Sequence, residues 1–105
     1  MLEKILIYIT FSSEKEAKKI AAKLLETRLI ACANIMPPHK AIYEWDDKIK
    51  EDKEVLMLAK STSDKFEAIK LLVEKLHSYE LPCILSIDIS DGNPEFLNWI
   101  EDVTK

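Results

Sequence analysis

The densest run of reactive side chains in this sequence is His77, Tyr79, Glu80 and Cys83, four groups within seven residues. An imidazole, a carboxylate and a thiol are donors that a soft or borderline divalent ion such as copper or zinc accepts. The spacing is neither CxxC nor that of a zinc ribbon. A structural role competes for each residue. His77 at a helix C-terminus interacts favourably with the helix dipole, and Cys83 at a strand start packs as a small core residue. A second set follows from strand alternation. Tyr43 and Trp45 lie two apart and so share a strand face, lining either an interface or a pocket. Glu54 and Lys60 lie on the strand that returns beside them, each either a solvated charge or part of a cleft between subunits. Cys32, within Ala31-Cys32-Ala33, reads as packing, and His39 after Pro37-Pro38 reads as an exposed loop residue. No nucleophile–base pair is evident, so a non-enzymatic role is expected.

The elements that must position these residues can be read from periodicity. Leu2 to Phe11, rich in Ile, Leu and Tyr, reads as a buried strand. Ser13 to Glu16 has the form of a capping box, and Ala17, Ile20, Ala21, Leu24 and Leu25 give the apolar stripe of a helix over 14–28. A second strand spans 31–36, is interrupted by Pro37-Pro38, which lack ladder donors, and resumes over 41–45. Asp46-Asp47-Lys48 makes a hairpin turn, and a third strand returns over 49–59. Ser61, Thr62 and Asp64 mark the start of a second helix, striped by Phe66, Ile69, Leu72, Val73 and Leu76 and ending near His77. A fourth strand spans 84–90. Asn93 as N-cap and Pro94 at the first helical position open a closing helix.

The order β-α-β-β-α-β with a tail helix is the split-βαβ, ferredoxin-like pattern of an α+β sandwich within a single domain, residues 1–105. Right-handed crossovers place both main helices on one face of a four-stranded sheet. Ile5, Ile7 and Ile9 then point one way and Leu6 and Tyr8 the other. Val55, Met57 and Ala59 likewise oppose Leu56 and Leu58. The helix-free face is an apolar patch that calls for a partner; the competing reading folds the tail helix back over it. The long hairpin, with Tyr43 and Trp45 in its distal half, exceeds what a four-stranded core needs and favours pairing between subunits.

Composition narrows the function classes. The formal net charge is −4, which disfavours a nucleic-acid partner. A lone glycine, Gly92, excludes most Gly-rich phosphate loops. Val55-Leu56-Met57-Leu58-Ala59 lacks the exposed aromatics of an RNA-recognition sheet. No segment is long and apolar enough to span a bilayer, so no membrane partner is expected. Two unclustered cysteines in a chain without a recognisable signal peptide fit a reducing cytoplasm.

Several segments taken in order resemble the CutA family of divalent-cation tolerance proteins. They are Ala31-Cys32-Ala33-Asn34-Ile35 with Pro37; Tyr43-Glu44-Trp45, Ile49, Glu54 and Lys60; His77-Ser78-Tyr79-Glu80-Leu81-Pro82; and Phe96-Leu97-Asn98-Trp99-Ile100. The resemblance covers essentially the whole chain. It implies a homotrimer related in architecture to PII signalling proteins and an association with tolerance of copper and other divalent ions. It places a metal at His77 with Cys83. It also admits an alternative, a PII-like signalling or scaffold trimer that binds a small ligand or protein in inter-subunit clefts near Tyr43, Trp45, Glu54, Lys60, Tyr79 and Glu80. Three positions depart from the family pattern. Ser78 replaces a proline, Asp47 replaces a turn glycine, and Cys83 stands where an acid follows the motif proline. The Cys that some members carry near the end of the first strand is absent, since that strand reads Ile9-Thr10.

Overall fold

The structure is a computed structural model that describes residues 2–105. Its elements are β1 (Lys4–Phe11), α1 (Glu14–Glu26), β2 (Cys32–Ile35), β3 (His39–Trp45), β4 (Lys48–Thr62), α2 (Phe66–Leu76), β5 (Ile84–Asp88) and α3 (Pro94–Val103), with a 3-10 turn over Ser63–Lys65 before α2. The antiparallel sheet runs β2-β4-β1-β5, and β3 pairs with the outer half of β4. The two central strands are therefore β1 and β4.

Alternation sorts the strands as the sequence requires. Ile5, Ile7, Ile9 and Phe11 of β1 and Val55, Met57 and Ala59 of β4 are at most 2% exposed and share one core with Ala17, Ile20 and Leu24 of α1 and Ile69 and Val73 of α2. Burial of each large side chain there contributes about 1.5–3 kcal/mol. On the opposite face the register aligns Leu85, Tyr8 and Leu58 in one row and Ile87, Leu6 and Lys60 in the next. Leu85 and Ile87 remain 52% and 45% exposed. The closing helix α3 reaches β1 and β4 at the end marked by Lys4, whose Nζ donates to Glu101 Oε1 at 3.0 Å. It buries Ile100 but leaves Phe96 and Trp99, whose rings meet at a tilt of 38°, in the open, 39% and 40% exposed. The tail helix thus covers one end of the helix-free face, and the Leu85–Tyr8–Leu58 row stays uncovered by the described residues.

Several element boundaries differ from the sequence reading. The first helix ends at Glu26, not Arg28, in a Schellman turn: Leu29 N–H donates to Leu24 O at 3.0 Å and Arg28 N–H to Leu25 O at 3.1 Å. Arg28 takes the left-handed position of that motif with φ 59°, a role usually given to glycine. Ser61 and Thr62 extend β4 and are fully buried, and Thr62 is at the same time the N-cap residue of the 3-10 turn that leads into α2. Ser61 Oγ donates to Leu29 O at 2.6 Å, which satisfies it inside the strand. His39 is half-buried within β3, facing Glu54, and is not a loop residue. The arm formed by β3 and the outer half of β4 projects from the body, and the chain measures 45 × 26 × 23 Å. Its radius of gyration, 14.4 Å, exceeds the roughly 13 Å expected for a compact chain of this length.

Candidate functional site

The arm, the end of β1 and the segment after α2 enclose a cleft of about 510 Å³. Register explains its arm wall. Tyr43 faces Lys50, Ala41 faces Asp52 and His39 faces Glu54, so the alternate residues Ala41, Tyr43, Trp45, Lys50, Asp52 and Glu54 share one side of the ribbon, and the first five of these with Glu54 line the cleft. Tyr8 and Thr10 form its floor, on the helix-free face of β1. The cleft is therefore continuous with the open sheet face. Tyr79, Glu80, Leu81 and Cys83 close the far side.

Hydrogen bonds fix the polar groups of the cleft. The Tyr43 hydroxyl donates to Asp52 Oδ2, and the Tyr79 hydroxyl donates to Glu54 Oε2 at 2.9 Å. The Asp52 bond raises the Tyr43 phenol above its ordinary value. Burial, reinforced by the Glu54 bond and by neighbouring carboxylates, pushes the Tyr79 phenol well up. Both phenols therefore stay protonated and act as donors toward the carboxylates. Burial likewise pushes the Cys83 thiol up, with Glu54 adding to it, so Cys83 is held as a thiol and not as a reactive thiolate.

His77 has a different task. Its Nε2–H donates to Thr10 O at 2.7 Å, and its Nδ1 accepts the Tyr79 N–H at 3.0 Å. The ring is buried and stacks on Phe11 at 4.9 Å with planes 13° apart. This bonding fixes the neutral Nε2–H tautomer and anchors the segment that carries Tyr79 and Cys83. Ser78 adds a second anchor: its N–H donates to Glu16 Oε2 at 2.8 Å. Burial acts to raise the Glu16 carboxyl, but the bonds from Ser78 and Ser12 outweigh it and leave the group lowered.

The structure thus gathers Tyr43, Trp45, Glu54, Tyr79, Glu80 and Cys83 around one space. It separates two residues from it. Lys60 lies farther along β4 and donates to Asn34 Oδ1 of β2. His77 lies beneath the cleft wall with both ring nitrogens engaged, so the expected His77–Cys83 pair is not a pair of free ligands. Sequence reasoning did not single out Lys50, Asp52 or Tyr8 for the site. For Lys50 and Asp52 the available signal was period-two spacing back along the strand from Glu54. Among the described residues no group of three or more His, Cys, Asp or Glu side chains is placed to hold a metal, and structural metal sites ordinarily need four ligands.

A mixed α+β fold with an antiparallel sheet, three helices among the described residues and a projecting two-stranded arm is the class that these elements define. Residues 5–103 match the family of the CutA1 divalent ion tolerance protein, and the chain belongs to that family. It is 43% identical over 101 residues to the divalent-cation tolerance protein CutA of Pyrococcus horikoshii, covering 96% of this chain and 98% of that one. The crystal structure of the divalent ion tolerance protein CutA1 from Ehrlichia chaffeensis superimposes with a TM-score of 0.95 at 33% identity, covering 100% of this chain and 98% of that one. The periplasmic divalent cation tolerance protein CutA of Archaeoglobus fulgidus superimposes with a TM-score of 0.95 at 42% identity, covering 97% and 99%. The family description names a tolerance and no reaction. No helix among the described residues is long and apolar enough to cross a membrane.

Proposed function

We propose that this protein serves divalent-cation tolerance as a non-enzymatic homotrimer of ferredoxin-like subunits, and that its working site is the cleft at the base of the arm. The observation that carries this reading is the continuity of that cleft with the open sheet face. Tyr8 belongs to both the cleft floor and the uncovered Leu85–Tyr8–Leu58 row, so covering the row with a neighbouring chain brings that chain to the cleft. Apolar patches of this kind are ordinarily covered in solution, and the number three follows from the family resemblance. Copper or another divalent ion would meet Cys83 together with Glu54 or Glu80 on one chain and take its remaining donors from the next. His77 serves this site by positioning Cys83 and Tyr79. Two free thiols suit a reducing cytoplasm.

Light scattering coupled to size exclusion at micromolar concentration should give three times the chain mass; a monomer overturns the reading. Copper titration by calorimetry should weaken about tenfold in Cys83→Ser, as expected when a soft ligand is lost. Equal affinity in that variant removes the metal from the cleft.

A second reading, a PII-like module that answers to a small ligand, is favoured by the aromatic lining of Tyr43, Trp45 and Tyr79. Such side chains shape ligand pockets more than they shape metal cages. A thermal-shift screen of metals and small organic ligands separates the two, because a ligand of the native state raises stability by mass action.

A further inference from the structure

The cleft carries more chemistry than a divalent ion uses. Its volume of about 510 Å³ lies in the range of pockets for small organic ligands. Its lining sets the carboxylates of Asp52, Glu54 and Glu80 against one cation, Lys50. The local charge therefore favours a positive guest. Hydrogen-bond polarity points the same way. Two of the three phenols that line the cleft, those of Tyr43 and Tyr79, are already spent as donors on Asp52 and Glu54, which leaves the Tyr8 and Thr10 hydroxyls on the floor and the Lys50 ammonium on the arm. The three carboxylates still outnumber the one ammonium, each keeps an oxygen free to accept, and the rings of Tyr43, Trp45 and Tyr79 stand beside them. A guest that brings its own N–H donors and a positive charge satisfies these groups, whereas an anion or a nucleotide phosphate meets acceptors. Trp45, Tyr43 and Tyr79 add ring faces, which attract cations through their quadrupoles.

We propose that this cleft binds a small organic cation carrying N–H donors, an alkylammonium or guanidinium compound, held between the carboxylates of Asp52, Glu54 and Glu80 and the rings of Tyr43, Trp45 and Tyr79. The inference rests on the reading of the cleft as the working site and deepens it by assigning a ligand class. A transition-metal ion prefers nitrogen and sulfur donors in a tight shell; an ammonium needs only carboxylate oxygens and ring faces around a wider space.

Tryptophan fluorescence provides the test. The chain has two tryptophans, Trp45 and Trp99, and Trp99 lies on α3 outside the cleft lining. In Trp99→Phe the emission reports on the cleft alone. Titrating this protein with spermidine, n-butylammonium and guanidinium, and with acetate and ATP as anions, should give a saturable change with the cations only. Glu54→Gln should weaken the response about tenfold, the usual effect of removing a charge-assisted partner. Light scattering on every variant reports assembly independently, so a folding failure is recognised, and in that event the cation-against-anion contrast in the Trp99→Phe protein decides. Saturation by ATP or acetate overturns the ligand class while leaving a ligand cleft in place. No saturable response to any compound, in protein that still assembles, overturns the inference and leaves the oligomer standing; a cleft already filled by a neighbouring chain's own lysine or arginine would behave this way. A response to cations that survives Glu54→Gln unchanged overturns the assignment to this site.

Discussion

The Ser78 amide N–H donates to Glu16 Oε2 at 2.8 Å, joining the first turn of α1 to the segment that follows α2. Glu16 also belongs to the first turn of α1, where its own N–H donates to the N-cap Ser13 Oγ at 3.1 Å. One carboxylate thereby ties a helix start to the wall of the cleft. A proline, the residue expected at position 78 from the family pattern, has no N–H to give. Replacing Ser78 by Pro should lower stability by about 1 kcal/mol, the low end for a bond to a charged group because the site is partly exposed. Urea unfolding measures this; an unchanged midpoint would show that the bond contributes nothing.

The same contact sets a pH dependence. The Glu16 carboxyl is lowered in the folded state, so its contribution is fully present above its unfolded value and is lost as pH falls through its folded value. Stability should therefore decline on the acid side, and Glu16→Gln should flatten part of that decline. The Lys4 bond lowers Glu101 in the same direction, so the double variant Glu16→Gln, Glu101→Gln should flatten it further. Urea midpoints measured between neutral pH and pH 3 test both.

Much of this was legible in the sequence, for a physical reason. Ile5, Ile7 and Ile9 alternate with Leu6 and Tyr8, and a strand has only two faces, so periodicity separated the two sides, although both are apolar and only the packing of the helices shows which is the core. The Asn93-Pro94 start of α3 was equally plain, since Pro94 fixes the first helical residue. The start of α2 was legible only in part: Thr62 does cap the 3-10 turn before it, but the end of β4 was not visible. Ser61 and Thr62 have capping side chains, but the strand that precedes them buries both, and burial against a neighbouring strand is a tertiary effect that local propensity does not carry. The cleft followed the same pattern. Tyr43, Trp45 and Glu54 were visible because alternation applies within a hairpin. Lys60 was grouped with them because it lies on the same returning strand as Glu54, yet β4 is 15 residues long and carries Lys60 to Asn34 of β2 instead. The role of His77 depended on Thr10, 67 positions away, and no local spacing encodes that partner.

The arm turn offers a gain in stability. Asp46 and Asp47 both adopt left-handed backbone, with φ 53° and 62°, as a two-residue type I′ hairpin turn requires. Aspartate tolerates this conformation less well than glycine. Asp47→Gly should raise the unfolding free energy by about 0.5–1 kcal/mol without altering the register between Tyr43 and Lys50. Thermal unfolding and a comparison of arm amide exchange would show it; a lower melting temperature would mean that the Asp47 side chain supports the turn in some other way.

The two faces of the sheet should respond differently to mutation. Ile7 is fully buried between the sheet and its helices, so Ile7→Ala should cost about 2–5 kcal/mol through lost burial and a residual cavity. That loss should appear in unfolding curves of the isolated subunit and of any assembly alike. Leu58 lies on the helix-free face beside Tyr8 and is only half-buried. Leu58→Lys places a charge on the surface proposed to meet a neighbouring chain, where desolvating an unpaired ammonium is costly, but it leaves the Ile5–Ile7–Ile9 core untouched. Far-UV circular dichroism should therefore stay unchanged while light scattering falls to the mass of a single chain. If Leu58→Lys keeps its assembly, the subunits meet elsewhere, and the uncovered row must owe its apolar character to something other than a partner.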